Sequence, residues 1–175
     1  MRRSGVLLPV TSLPSRFGIG TFSKEAYAFV DFLSEAGQKL WQILPLGPTG
    51  YGDSPYQAFS TFAGNPYLID LEELIENGWL TEEECENTDW GGSKSYVDYE
   101  KMYQGRFPLL RKAYRNSHIA ENAEFIAFCE ENDWWLSDYA LFMAIKDSQG
   151  GASFLEWDAP LKLREPEAIR RCRHE

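Results

Sequence analysis

The chain has 175 residues, 43% of them hydrophobic and 15% aromatic, and it carries a net charge of −10. This composition suits a single globular domain and excludes a low-complexity disordered segment. No apolar run approaches the ~18 residues of a membrane span, and the N-terminal apolar stretch ends at Pro9, which is too short for a signal peptide. The sequence therefore predicts a cytoplasmic protein with no membrane partner.

The negative charge is confined to the second part of the chain. Residues 1–70 hold five Lys or Arg and five Asp or Glu, whereas residues 71–175 hold twelve and twenty-two. The first part also contains eight of the fourteen glycines and six of the nine prolines, which is typical of strands joined by shaped loops. Because an acidic surface repels phosphate backbones, we expect no nucleic-acid partner.

Residues that commonly hold metals or act as nucleophiles are sparse. The three cysteines, Cys85, Cys129 and Cys172, form no Cys-x-x-Cys pair, and the two histidines, His118 and His174, stand alone in polar stretches. The sequence therefore predicts free thiols, no metal site and no cofactor.

The first 45 residues show the pattern of a strand, a helix and a second strand. Apolar runs over residues 5–10 and 40–44 are stopped by proline and are typical of strands buried on both faces of a parallel sheet. Between them, Ser23 is a good helix N-cap, and Gly37 stands where a left-handed residue would end the helix. The pattern predicts a right-handed βαβ unit.

A loop follows the second predicted strand, over residues 46–57. Its glycines and prolines impose an irregular backbone, from which two tyrosines, an aspartate, a serine and a glutamine project. Ligands bind at the carboxyl ends of strands in α/β folds, so this loop is a candidate ligand wall. The alternative at this point is a rigid surface loop in which Asp53 and Ser54 bond only local amides.

Helical signals dominate from residue 71 onward. A helix over residues 71–77 is closed by Gly78, and Thr81 begins a capping box with Glu84. Asp98 caps a helix toward Tyr114 that Pro108 should kink or divide. Two more helical segments contain residues 125–129 and 136–144, and the second ends at the glycine pair 150–151.

The abundant acidic and aromatic residues of the helical part have ordinary structural interpretations. Its glutamates are expected on solvated helix faces, and Trp134 and Trp135 in a core rather than on a sugar-binding platform.

Several strings in the first part resemble the start of the amylomaltases, also called 4-alpha-glucanotransferases or disproportionating enzymes, of glycoside hydrolase family 77. They are SGVLLP at 4–9, SLPS at 12–15, GIG at 18–20, WQILPLGP at 41–48, GDSPYQ at 52–57 and FSTFAGNPYLID at 59–70. The resemblance is dense over residues 4–78 and weaker through VDY at 97–99 and NDWWL at 132–136. Thr21 and Ser23 depart from the aspartate and glycine that the family often has.

The resemblance implies an α/β fold, the N-terminal part of a (β/α)₈ TIM barrel. Residues 1–70 would supply about two barrel strands and the substrate-binding loop, residues 71–175 a mainly helical insertion subdomain, and the rest of the barrel would be missing. The chain would then be an N-terminal fragment, about a third of a family member.

The implied reaction is retaining transfer of α-1,4-glucan segments to glucose or glucan acceptors, which requires a nucleophilic carboxylate and an acid/base carboxylate about 5 Å apart. In the family these groups lie on later barrel strands, beyond residue 175. No catalytic residue is therefore assigned, and the chain alone is expected to be inactive.

The resemblance carries over substrate binding at four positions. Ser54 and Tyr56 match residues beside the donor glucose, where a hydroxyl bonds sugar hydroxyls and an aromatic ring covers a pyranose face. Tyr51 and, more weakly, Tyr103 match aromatic positions of a second glucan-binding groove. The expected partners are α-1,4-glucans and glucose, and two alternatives stay open: an amylase-like hydrolase, and a non-catalytic glucan-binding or helical interaction module.

Overall fold

A computed structural model describes residues 2–50, 52–93 and 95–173 of the chain. The chain divides into two units, Met1–Ala120 and Glu121–Glu175. The compositional change near residue 70 falls inside the first unit, so it does not coincide with this division.

The first unit begins with the predicted βαβ arrangement. Strand β1 (Gly5–Leu7) pairs in parallel with β2 (Leu40–Gln42), and helix α1 (Lys24–Glu35) connects them. The side chain of Ser23 accepts a hydrogen bond from the backbone N–H of Glu25, and Gly37 has a φ of 70°. Both predicted ends of α1 are therefore confirmed.

The two strands are shorter and more exposed than their sequence predicts. Val6 and Trp41 lie opposite each other on the face toward α1, where the Trp41 ring contacts Phe29 at 5.0 Å between centroids. On the other face, Leu7 is 57% exposed and Leu40 is 52% exposed. The prediction of strands buried on both faces is wrong, because the described residues form a sheet of these two strands and α1 covers one side of it.

The segment between β1 and α1 folds back tightly on the end of β1. A short 3₁₀ helix, Val10–Ser12, follows the strand, and the backbone N–H of Gly20 donates to the carbonyl of Thr11 at 3.1 Å. A Cβ at position 20 would lie 2.1 Å from the carbonyl oxygen of Val10, so this approach requires glycine.

Three helices follow in the first unit: α2 (Leu71–Glu76), α3 (Glu82–Glu86) and α4 (Tyr99–Ser117). The capping box of Thr81 and Glu84 is present, and the Asp98 side chain accepts from the backbone N–H of Lys101, so these predicted helix starts are confirmed. Helix α4 runs on through Pro108, and the expected division there is wrong. Pro108 is exposed and costs the helix one backbone donor without ending it.

The helices of the first unit enclose a well-buried core. Leu71 of α2, Cys85 of α3 and Met102 of α4 are fully buried, and Phe17 packs among the helices with its ring 5.9 Å from that of Trp90. Arg16 next to it forms ion pairs with Glu72, Glu82 and Glu86. The β1–α1 segment is thereby joined to α2 and α3.

The second unit consists of α5 (Ala123–Ser148), α6 (Ala159–Lys162) and α7 (Pro166–Cys172). The two helical segments expected near residues 125 and 140 are one 26-residue helix, whose N-cap Asn122 accepts two backbone N–H bonds. Short 3₁₀ helices cover Ile119–Glu121 and Phe154–Glu156.

Among the described residues of the second unit, the buried core cluster includes one end of α5. Leu141 and Ile145 pack with the buried Trp157 and with residues of α6 and α7. Trp134, two helical turns earlier, is 69% exposed, and Trp135 is partly buried. The expectation that Trp134 lies in a core is therefore wrong, because the packed cluster begins further along the helix.

Two further observations concern the cysteines and the helices. Cys85, Cys129 and Cys172 are free. Across the part of the chain that the structure describes, none of the helices combines the length and apolar character needed to cross a membrane.

Candidate functional site

The loop predicted to carry the site follows β2 and is tied at its base. Thr49 pairs with Ala58 in an isolated antiparallel bridge, and the backbone N–H of Asn65 donates to the carbonyl of Leu46 at 2.8 Å. The loop therefore returns on itself beside the carboxyl end of β2, the end at which α/β folds bind ligands.

Two of the predicted substrate-binding residues share one turn of this loop. Ser54 is partly buried, and its carbonyl accepts from the backbone N–H of Gln57 at 3.0 Å. Tyr56, inside that turn, is 74% exposed. The serine, whose backbone is held in the turn, thus lies two residues from an exposed aromatic ring. Tyr51 lies outside the described residues.

The fourth predicted residue, Tyr103, lies on α4 and is 57% exposed. Its ring packs against Phe107 at 5.2 Å between centroids, and Phe107 packs against Tyr67 at 5.7 Å. Tyr67 belongs to the 3₁₀ helix Pro66–Leu68, which lies beneath the loop. Tyr103 therefore begins an aromatic series that ends under the loop of Ser54 and Tyr56.

A cavity of about 90 Å³ lies between the loop and the carboxyl ends of both strands. Its walls combine apolar residues that follow β1 and β2 with a few hydrogen-bonding side chains. The lining residues that carry polar side chains are Thr11, Thr49, Asp53, Asn65, Tyr67 and Tyr99.

Asp53 provides the acidic group of this cavity. Its φ of 53° lies in the left-handed region, which aspartate tolerates better than most side chains. Burial raises the pKa of Asp53 above its usual range. Burial also raises the pKa of Tyr67 to about 12 and raises the pKa of Tyr99, and the Asp53 charge adds to both rises. Both phenols are therefore protonated donors at neutral pH, within electrostatic reach of Asp53.

Thr49 contributes a hydroxyl with an unusual environment. Its Oγ1 is buried and finds no hydrogen-bond partner among the residues that the structure describes. Buried hydroxyls almost always have a partner, so this oxygen marks the cavity as a polar compartment that accepts solvent or a polar group.

A second group of polar contacts holds residues 65–70, on the far side of the cavity. Arg106 of α4 is fully buried and donates to the carbonyl of Ile69, while burial lowers the pKa of Arg106 to about 10. Asp70 caps α2 and accepts from the hydroxyl of Thr21 at 3.2 Å. These contacts fix residues 65–70 between α4 and the β1–α1 segment.

The sequence reasoning missed most of the cavity. Tyr67 lies two residues after Asn65, and Tyr99 directly follows Asp98. Both tyrosines belong to strings that resemble the family, so the resemblance could have indicated that they lie at the site. No sequence signal pointed to Thr49 or Arg106. Neither residue type indicates burial, and the contacts that bury them come from distant segments.

The polar and aromatic side chains at this site suit a hydroxyl-bearing ligand. No group of three or more metal-binding side chains occurs within residues 2–50, 52–93 and 95–173. Hydroxyls, amides and exposed aromatic rings are the groups that bind sugars, through hydrogen bonds and through stacking on apolar ring faces.

Comparison with known proteins gives one consistent result. Residues 8–175 match the sequence model of glycoside hydrolase family 77, described as 4-alpha-glucanotransferase. A 4-alpha-glucanotransferase of Thermus thermophilus is 48% identical over 176 aligned positions, which cover 98% of this chain and 34% of that protein. A chloroplastic or amyloplastic 4-alpha-glucanotransferase of Arabidopsis thaliana is 37% identical over 96% of this chain and 30% of its own length.

A solved structure agrees with the sequence relatives. An amylomaltase from Streptococcus agalactiae in complex with acarbose superposes with a TM-score of 0.92 at 46% identity, covering 99% of this chain and 35% of that one. The chain thus spans about a third of the length of the relatives it matches. On this evidence the chain belongs to glycoside hydrolase family 77, the 4-alpha-glucanotransferases.

Proposed function

We propose that this chain forms one wall of the substrate site of a 4-alpha-glucanotransferase. The observation that carries the proposal is the loop after β2, where Ser54 is anchored in a turn and Tyr56 is 74% exposed beside the carboxyl end of a parallel strand. Family membership gives this wall its ligand class, because a relative binds acarbose.

In this proposal the chain belongs to a (β/α)₈ barrel. Strands β1 and β2 are its first two strands, residues 1–70 carry the substrate loop, and residues 71–175 form the helical insertion. The enzyme acts in the cytoplasm without a metal or other cofactor.

The proposed reaction moves an α-1,4-glucan segment to glucose or to another glucan by retaining double displacement. Two carboxylates about 5 Å apart would act as nucleophile and acid/base. We place them in the part of the relatives that this chain does not span, so the chain by itself supplies binding groups and no chemistry.

The test is a hybrid enzyme in which this chain replaces the matching segment, 34% of the length, of the Thermus thermophilus relative. Incubation with maltotriose should yield both glucose and longer maltodextrins, separated by chromatography. Shorter products alone would indicate a hydrolase, and a folded hybrid without activity would favour a binding or interaction module. The 175-residue chain without the remainder should yield neither product.

Two substitutions in the hybrid enzyme test the donor side. Tyr56→Ala should lower the transfer rate roughly tenfold, because one well-packed aromatic contact contributes about 1.4 kcal/mol. Tyr27 on α1 is also 74% exposed, so Tyr27→Ala is the matched control and should leave the rate unchanged. Equal effects of the two substitutions would remove Tyr56 from the sugar site.

The proposed second groove has its own matched pair on one helix. Tyr103 is 57% exposed and Tyr114 is 54% exposed, both on α4. Tyr103→Ala and Tyr51→Ala should weaken the binding of long glucans and spare maltotriose, whereas Tyr114→Ala should change neither. Equal losses on short and long substrates would place Tyr51 or Tyr103 at the reacting bond instead.

A further inference from the structure

We infer that Asp53 is a positioning residue, which holds the turn of Ser54 and Tyr56 through waters that bridge its carboxylate to the hydroxyls of Thr49, Tyr67 and Tyr99 in the cavity that all four residues line. The inference deepens the proposed function and rests on it, because the turn is argued to bind the donor sugar. Asp53 itself does not contact the sugar.

The size of the cavity separates a supporting role from a binding role. Small-molecule sites typically measure ~300 Å³ or more, whereas this cavity measures about 90 Å³. A buried water needs ~10–15 Å³, so the space suits a few waters that bridge polar groups and does not suit a sugar ring. The carboxyl therefore acts from beneath the loop.

Three different segments each place a hydroxyl-bearing residue along the cavity that Asp53 also lines. Thr49 lies at the base of the loop, Tyr67 on the 3₁₀ helix Pro66–Leu68, and Tyr99 on the first turn of α4. The two phenols are the titratable groups that share the cavity with Asp53 among the described residues. Hydrogen bonds to an ionised acceptor are about twice as strong as neutral ones, so a carboxylate is an effective anchor for waters that bridge it to these hydroxyls.

The backbone around Asp53 transmits this anchoring to the sugar-binding residues. The N–H of Asp53 donates to the carbonyl of Gly50 at 3.0 Å, and the turn from Ser54 to Gln57 follows directly. Because Asp53 has a left-handed backbone, rotation there would redirect Ser54 and Tyr56 together. If Asp53 were only a turn residue, any side chain that tolerates the left-handed backbone would serve in its place. If Asp53 positions the turn, its carboxylate is required as well.

Substitutions in the hybrid enzyme separate these two roles. Asp53→Asn keeps the size and the tolerance for a left-handed backbone, and Asp53→Gly removes the side chain without backbone strain. Both should lower kcat/KM for maltotriose transfer about tenfold through a higher KM, with unchanged melting temperature. Asp31→Asn, which alters an exposed carboxylate of α1, should change neither value. Wild-type kinetics in Asp53→Asn or Asp53→Gly would reduce Asp53 to a turn residue and overturn the inference.

A double-mutant cycle adds a readout that a purely structural role would not give. Tyr99→Phe removes one hydroxyl and keeps the ring, so it should raise KM in the wild-type background and have little further effect after Asp53→Asn. Additive effects of the two substitutions would contradict the inference, because the carboxylate and the phenol would then act independently.

A measurement on the 175-residue chain distinguishes failure of this inference from failure of the proposed function. In NMR spectra, Tyr99→Phe should move the amide resonances of Ser54, Tyr56 and Gln57 in the wild-type chain and leave them in place when Asp53 is asparagine. An inactive hybrid combined with this pattern would refute the proposed function and keep the anchoring role. Equal shifts in both backgrounds, or none in either, would refute the anchoring role whatever the activity.

Discussion

The strands and the helices of the first unit bury their apolar side chains to very different extents. Leu7 on β1 and Leu40 on β2 are 57% and 52% exposed, while Leu71 on α2 and Met102 on α4 are fully buried. A strand pair has two faces and α1 covers one of them, whereas α2, α3 and α4 pack around common side chains. The helices therefore carry the stability of the unit, and the strands place the loop that carries the candidate site.

The largest expected effect tests where that stability lies. Leu71→Ala should lower the free energy of unfolding by about 3 kcal/mol, because it opens a cavity at a fully buried position. Leu7→Ala, the same change on an exposed strand face, should cost less than about 1 kcal/mol. Urea denaturation of both variants gives the comparison, and similar losses would mean that the strands bear as much of the core as the helices.

The next effect concerns the junction between the two regions. Arg106→Met should lower the free energy of unfolding by about 2 kcal/mol, because it removes the hydrogen bond that the buried Arg106 donates to the carbonyl of Ile69. Arg170 on α7 forms an exposed pair with Glu167, and Arg170→Met should cost about 0.5 kcal/mol or less. A gain in stability in Arg106→Met would instead show that the desolvation of this cation outweighs its bond.

A smaller effect is expected at the start of α4. Asp98→Ala should cost about 1 kcal/mol, because the side chain that accepts from the backbone N–H of Lys101 is lost. Asp98→Asn keeps an acceptor and should remain close to wild type. Thermal unfolding followed by circular dichroism at 222 nm measures both, and equal losses would show that the charge of Asp98 matters rather than its capping bond.

The smallest change in stability is expected on the exposed strand face, where solubility should respond instead. Leu40→Lys should leave the free energy of unfolding within about 0.5 kcal/mol of wild type, because the side chain is half exposed. A charge on the strand should also hinder pairing between chains and delay aggregation, measured by light scattering. Aggregation at the wild-type rate would point to another surface.

The elements predicted correctly are those whose signals are local. Helix starts could be predicted at Ser23, Thr81 and Asp98, because each capping side chain and the backbone N–H group that it binds lie within three residues of each other. Strand exposure and the long α5 were missed because they depend on what packs alongside. Trp134 shows this most clearly, since its residue type indicates a core while the packed cluster begins at Leu141.

The candidate site divides in the same way. The loop with Ser54 and Tyr56 could be found from its position after a predicted strand and from its resemblance to a family. The cavity beneath it could not, because Thr49, Tyr67 and Tyr99 come together only when α4 and the 3₁₀ helix Pro66–Leu68 fold against the strand ends. Local sequence patterns thus located the loop that forms the candidate ligand wall, but they did not locate the cavity beneath it.

The close backbone approach at Gly20 has a consequence for mutational tolerance. A saturation library at this position should yield almost no folded variants, since any side chain would drive its Cβ into the carbonyl of Val10 and the backbone of Leu13. Gly37, which has open space around its Cβ position, should still admit asparagine despite its φ of 70°. Directed evolution of the segment between β1 and α1 therefore has to vary the residues on either side of Gly20 while that position stays fixed.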